Sequence, residues 1–312
     1  MASGLAELDD DLTATVDALA GLEPAAWNEA IRLERVELVT LVARVCADQH
    51  GLTPVGLTQA AVGDGATVGP GSQWRSIPDL DDSDRTLLEL SEQFSVDVSS
   101  ITDGQRSALF GSWGGEAATA VAVVFVMDFL PRTRLALDAL GWHLSLDQAG
   151  PHRRSDATKI WEALDLLIRV APRLGAIDPV TSELVRLWGA RQHRCRLCQS
   201  LRSRPALLAG ADEALLAGVE DFEHSDLSPL QKAALALTDA MIWRPGSIEG
   251  PATRLRSEAS PAQCLELVAD VTRNALNKIA VALGADEAHV EDGIEIYDIG
   301  PDGGLVYGLS VD

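Results

Sequence analysis

Seven stretches of this chain place apolar residues at i, i+3, i+4 and i+7, and that spacing commits most of its length to amphipathic helix. They cover residues 27–49, 84–94, 116–140, 159–170, 182–192, 229–243 and 261–283. Ser182, Ser228 and Ser260 stand where N-caps are expected, the last two followed by Pro229 and Pro261, and proline suits a first helical position. Gly141 and Gly284 fall where helices end in a left-handed residue. Strand signals are confined to the tail, where residues 295–311 predict a small hairpin turning at 301–304. Aromatic residues make up only 4% of the chain, so helices packed through Ala and Leu are favoured over a β-sandwich. The expected fold class is all-α.

The two halves echo each other. Glu37-Leu38-Val39 is matched by Glu183-Leu184-Val185, the run 88–92 (LELSE) by 235–239 (LALTD), and 137–141 (LDALG) by 280–284 (AVALG). The offsets stay between about 143 and 147 residues and keep their order, as a duplicated helical unit would. The polar stretch 145–156, with Gly150 and Pro151, is the best break between them. We therefore expect two tandem helical repeats, 1–150 and 151–312, forming a pseudo-dimer.

A net charge of −22, with 25 basic against 47 acidic residues, leaves no broad positive face for nucleic acid or an anionic membrane. The N-terminus is acidic where an export signal starts basic. The strongest apolar run, 117–127, is short for a bilayer span. A cytoplasmic protein is expected. Four cysteines in a chain this long make no secreted disulfide framework. The acidic run 79–84 reads as a solvated turn and helix cap. Trp161, Trp188 and Trp243 read as core. The Gly-rich stretch 62–71 lacks the strand and Lys-Ser/Thr of a phosphate loop.

Chemistry concentrates at 180–202, VTSELVRLWGARQHRCRLCQSLR. Cys195 and Cys198 lie one helical turn apart, close enough to make and break a disulfide with little backbone movement. A position near a helix N-terminus lowers a thiol pKa, and Arg191, Arg194, Arg196 and Arg202 crowd the same segment. A thiolate is the species that opens a peroxide or a partner's disulfide. Glu183, brought close by helix packing, is a candidate base for the thiol proton. Cys46 and Cys264 have no such neighbour and read as small apolar core residues.

The Glu183 to Cys195-x-x-Cys198 spacing, followed by the helices 229–243 and 261–283, resembles the alkylhydroperoxidase D and carboxymuconolactone decarboxylase family. The resemblance covers about residues 157–290, with a degenerate copy upstream in which Gln49 and Leu52 replace the cysteines. It implies that Cys198 attacks, Cys195 resolves, and Glu183 with a histidine relay handles the proton. Both relay histidines are absent: Arg202 and Leu197 stand in their places. An arginine stays protonated and is no base near pH 7, so Arg202 is expected to hold a thiolate by charge or to pair with Glu183. His193, two residues before Cys195, is a candidate substitute, although a surface histidine without a role is the plainer reading.

The resemblance implies a thiol peroxidase or disulfide oxidoreductase needing no cofactor or metal. Its substrate is a hydroperoxide and its electron donor a lipoylated or thioredoxin-like thiol protein. It also implies a homotrimer or homodimer. Rival readings are a thiol-independent decarboxylase-like lyase and a non-catalytic oligomeric scaffold. Structural zinc would need Cys46 and Cys264 to converge on the pair.

Overall fold

A computed structural model describes residues 10–54, 71–143 and 159–311 of the chain. The break at 145–156 and nearly all of 62–71 lie outside the described residues. The protein is mostly helical. Its first part holds α1 (Asp10–Arg32), α2 (Val36–Asp48), α3 (Asp82–Asp97), α4 (Asp103–Trp113) and α5 (Ala117–Ala139). Next come α6 (Ile160–Val170), α7 (Pro179–Gln192), α8 (Arg196–Ser200), β1 (Leu201–Ser203), α9 (Arg204–Leu208) and α10 (Glu213–Ala217). The chain closes with α11 (Pro229–Trp243), α12 (Glu249–Glu258), α13 (Pro261–Asn274), α14 (Asn277–Leu283), β2 (Glu295–Ile299) and β3 (Leu305–Leu309).

The middle of α5 is the centre of the protein. Every residue from 120 to 133 is buried, because this run is apolar on all sides and a helix of that kind belongs inside. Helices α1 and α2 pack against it from the first part, and α11, α13 and α14 from the second, while α1 also lies along α6. One hydrophobic core runs through all of them, with a smaller satellite under α7, α9, α10 and α11. Together with α4, α5 is long and apolar enough to cross a bilayer by length and composition, yet its apolar surface is spent on these helices.

Two expected helices divide. The periodic stretch 27–49 breaks at Glu34, whose φ of 56° is left-handed, so α1 and α2 meet at an angle. The stretch 261–283 breaks between α13 and α14, where Lys278 and Ile279 donate to carbonyls only three residues back, Ala275 and Leu276. The cap of α7 is Asp178, accepting from the amides of Val180 and Thr181; Ser182 bonds Asp270 instead, at 3.0 Å. Ser228 and Ser260 do cap α11 and α13, each with a reciprocal Gln. Asp81 caps α3, and Gly284 ends α14 in the left-handed region. Trp161 and Trp243 are not core: both are partly exposed, held at the rim by bonds to Thr119 and Gln192.

The tail hairpin forms at the expected place. Strands β2 and β3 pair antiparallel, and β2 also pairs in parallel with β1, the segment that follows α8. The turn packs against the end of α6, where Arg169 reaches Asp302 at 3.1 Å. At Gly303, with φ of 78°, any side chain would collide with the Arg169 backbone, so only glycine lets the turn seat this closely.

Charges are buried where the two parts meet. Asp128 on α5 pairs with Arg132 one turn on and with Lys278 of α14 at 2.5 Å, all three within a few per cent of full burial. Arg132 also donates to the Ile242 and Ser95 carbonyls and reaches His50 at 2.7 Å. The Lys278 ammonium stands 4.4 Å from the Phe94 ring centroid, a cation–π distance. Burial opposes the charge of Asp128, but Arg132 and Lys278 outweigh it and hold the carboxyl down at about 2. Burial draws Lys278 down to about 8 and His50 to about 4.

Substituting Asp128→Asn keeps the shape but strands two buried cations, and we expect a loss of about 3–5 kcal/mol in urea unfolding. A loss below about 1 kcal/mol would overturn this account of the junction. Because the folded carboxyl titrates below its unfolded value of about 3.9, its contribution is complete above that pH and fades as pH falls toward about 2.

Candidate functional site

Helix α7 ends at His193, Arg194 turns the chain through a left-handed φ of 50°, and Cys195 opens the short α8 as its N-cap. The turn makes Cys195 a cap: its sulfur accepts from the Cys198 amide at 3.2 Å. The other leading amides of α8 go to Asp286, Arg196 N to a carboxylate oxygen and Leu197 N to the carbonyl, both at 2.9 Å. Cys195 is buried, whereas Cys198 is half-buried.

The two thiols are electrostatically unequal. The Cys195 thiol donates toward Cys198 and is buried, and both effects push its own pKa up. Receiving that bond brings Cys198 down to about 7, and burial works against it. The Arg186 charge and a hydrogen bond from the Asn277 amide lower Cys198 further, while Asp286 opposes them. Cys198 thus ionises near neutrality, and the neighbouring Cys195 holds its proton.

Arg186 is the cation that serves the dithiol. It donates to the Cys198 carbonyl at 2.7 Å and the Leu201 carbonyl at 2.8 Å, and it forms a two-pronged pair with Glu183 at 2.7 and 2.8 Å. Tyr297 of β2 lies beneath its guanidinium, 5.4 Å from carbon to ring centroid. Glu183 is buried and also receives the Ser203 amide at 3.1 Å and the Tyr297 hydroxyl at 3.4 Å. With those donors in place, its geometry is that of an anchor for Arg186.

Two other expected residues land differently. Arg202 is buried and forks onto Glu213 at 2.7 and 3.0 Å while donating to the Gln199 and Leu201 carbonyls. Its charge is spent tying α8 to α10, and its carboxylate partner is Glu213 and not Glu183. His193 is buried, not a surface residue, and its Nδ1 lies 2.7 Å from the Asn277 side-chain oxygen. Burial and the nearby Lys278 bring His193 down to about 3, so it is neutral near pH 7. A neutral ring donating from Nδ1 to that oxygen leaves the Asn277 amino group to donate to Cys198. The crowd of Arg191, Arg194 and Arg196 plays no comparable part: Arg191 pairs with Glu220 and Arg196 with Asp286. Cys46 and Cys264 are buried elsewhere in the core, and burial drives Cys46 up to about 12.

The residues unforeseen from sequence are Arg186, Asn277, Asp286 and Tyr297. Arg186 carried a signal, three residues after Glu183 on one helix face. Asn277 marked the polar interruption of an apolar helix.

Behind Arg186 opens a cleft of about 500 Å³ between the loop before α7, α13 and β2. Glu183, Arg186 and Tyr297 line one side, of which Arg186 also reaches the Cys198 carbonyl, and Glu266, Asp270 and Arg273 lie along α13.

Removing the Asn277 donor with Asn277→Ala is expected to raise the Cys198 ionisation midpoint from about 7 toward the free-thiol value of about 8.5. Iodoacetamide alkylation followed against pH reads this directly, and an unchanged midpoint would sink the role given to Asn277.

Over 236 residues the chain is 43% identical to uncharacterized protein Rv2313c of Mycobacterium tuberculosis strain H37Rv, covering 72% of this chain and 81% of the relative. Uncharacterized protein MT2376 of Mycobacterium tuberculosis strain CDC 1551 matches at the same identity and coverage. No protein-family model and no solved structure matches. With that identity across most of both chains, the protein belongs to the family of these mycobacterial proteins.

Proposed function

We propose that the protein is a dithiol peroxidase of the alkylhydroperoxidase D type, working in the cytoplasm through Cys198 and Cys195. The observation that carries this reading is the pairing of a half-buried Cys198 ionising at about 7 with a buried, protonated Cys195 hydrogen-bonded to it. In the reaction, the Cys198 thiolate attacks a hydroperoxide oxygen. A sulfur–oxygen bond forms, the O–O bond breaks, and the alkoxide takes up the proton the thiol had released, leaving as alcohol. The Cys195 thiol then attacks the resulting Cys198 sulfenic acid, forming the disulfide, and water departs with the Cys195 proton. A dithiol donor, a lipoylated or thioredoxin-like protein, returns both thiols to the reduced state by exchange.

Arg186 supports the thiolate by charge and Asn277 by its amide, in place of the histidine relay. Glu183 positions Arg186, and His193 orients Asn277. Arg202 acts at one remove, fixing the end of α8 through Glu213.

We further propose that the fold is a duplication. Adding about 146 residues carries α2 onto α7, α3 onto α11, α4 onto α12, and the short turn at 98–100 onto that at 245–247. The packing of α5 against α13 and of α1 against α6 then corresponds to matching helices meeting across a pseudo-twofold. On this reading the first repeat is scaffold, and three fused chains do the work of six unfused ones. Light scattering is expected to give a homotrimer, or a homodimer; a monomer excludes both.

The reduced protein is expected to consume an organic hydroperoxide in a single burst, one equivalent per chain, and to lose the mass of two hydrogens as Cys195 and Cys198 pair. Cys198→Ser abolishes the burst, while Cys195→Ser stops at a sulfenic acid that dimedone traps. Persistence of both free thiols after excess peroxide would rule the reading out.

A further inference from the structure

We propose that the cleft behind the dithiol binds a small primary amine, with its ammonium against Asp270 and Glu266 and its carbon body against Leu174, Pro179 and Ile299. The volume of about 500 Å³ lies within the range of small-molecule pockets. Asp270 and Glu266 are 7% and 3% exposed and stand one turn apart on the same face of α13. Neither has an ion-pair partner among the described residues. Asp270 accepts from Ser182 through Oδ2 at 3.0 Å, and among the described residues its Oδ1 has no partner, although Asp270 lines the cleft. Glu266 takes the Ala176 and Ile177 amides on Oε2, at 2.6 and 3.1 Å, and leaves Oε1 without one. Two acceptor oxygens one turn apart at a cavity wall match the several N–H donors of an ammonium.

Arginines as well as carboxylates line the cleft. Arg186 is already neutralised by its two-pronged bond to Glu183. On β2, Asp298 faces Arg204 at 3.8 Å, and the Tyr297 hydroxyl is turned to Glu183. Arg273 gives its Nε to the Ile168 carbonyl and acts on Asp270 only through space, without an ion pair. Arg173 lines the cleft from its exposed end. Arg173 and Arg273 both line the cleft without an ion-pair partner among the described residues, so butyrate is the competing probe for butylamine. Burial pushes Glu266 up to about 7, helped by Asp270, and pushes Asp270 up to about 6. Near neutral pH Asp270 is thus mostly ionised and Glu266 partly protonated, and an arriving ammonium would displace the proton that Glu266 still holds.

The test uses the full-length protein and n-butylamine, followed by saturation-transfer NMR in amine-free buffer. Saturable binding is expected at about pH 7.5, weakening about tenfold or more by about pH 5 as both carboxyls take up protons. Asp270→Asn and Glu266→Gln, which keep side-chain shape, are each expected to weaken it about tenfold or more, with folding checked by thermal melting. Cys198→Ser should bind like the wild type, so the amine site stands or falls separately from the peroxidase reading. Unsaturable binding, pH-independent binding by the wild type, unweakened binding by folded variants, or preference for butyrate or calcium over butylamine would each overturn the proposal.

Discussion

The contact on which the rest of the protein depends is the buried pair of Asp128 and Lys278. It joins the middle of α5 to the first turn of α14, and Arg132 extends it to the carbonyls that end α11 and to His50 after α2. Apolar packing supplies most of the burial around the central helix, but cores tolerate hydrophobic exchange when volume and pattern are kept. A buried ion pair does not slide: shifting α5 by one turn would leave Asp128 without its partner in a medium that cannot solvate it. The junction thereby sets the register between the helices of the first part and α13 and α14. Lys278 follows Asn277 directly, so the same junction fixes the amide that addresses Cys198.

The site is built around a second, largely buried cation. Arg186 stands between two spaces, touching the Cys198 carbonyl on one side and lining the cleft on the other. Its five N–H donors suit a partition: Glu183 takes two, the carbonyls of Cys198 and Leu201 take others, and the Tyr297 ring closes the remaining face. Lysine has no plane to stack and no fork to fill, so it would leave Glu183 and the two carbonyls incompletely matched. A single guanidinium thus sets the charge beside the thiolate and the shape of the neighbouring cavity.

Much of this was legible in the sequence where the signal is local. The 3.6-residue period gave the helices, Ser228 and Ser260 their starts, Gly284 an end, and the 301–304 turn a hairpin, because each rests on a few adjacent residues. The failures are long-range. The breaks at Glu34 and at 275–276 follow from how α2 and α14 must turn to reach α5, which no window of periodic residues encodes. His193 looked like a surface residue because nothing nearby announces that Asn277, 84 positions on, will receive it. Arg202 seemed destined for the thiols because it follows them closely, yet its partner Glu213 is eleven residues further along. In this segment closeness in sequence pointed to Arg202, whereas the arginine beside Cys198 is Arg186, one helical turn after Glu183 and unforeseen.

The parallel pairing of β1 with β2 has a consequence for biosynthesis. The dithiol and β1 leave the ribosome some ninety residues before the strand that completes them. Until β2 arrives, Glu183 lacks the Tyr297 hydroxyl, and the ring beneath Arg186 is missing. The Asn277 amide is likewise still to come, so the growing chain carries its two thiols beside an Arg186 that is not yet clamped and without one of the donors that lower Cys198. The setting of the two cysteines is thereby completed only when the last strands of the chain take their places.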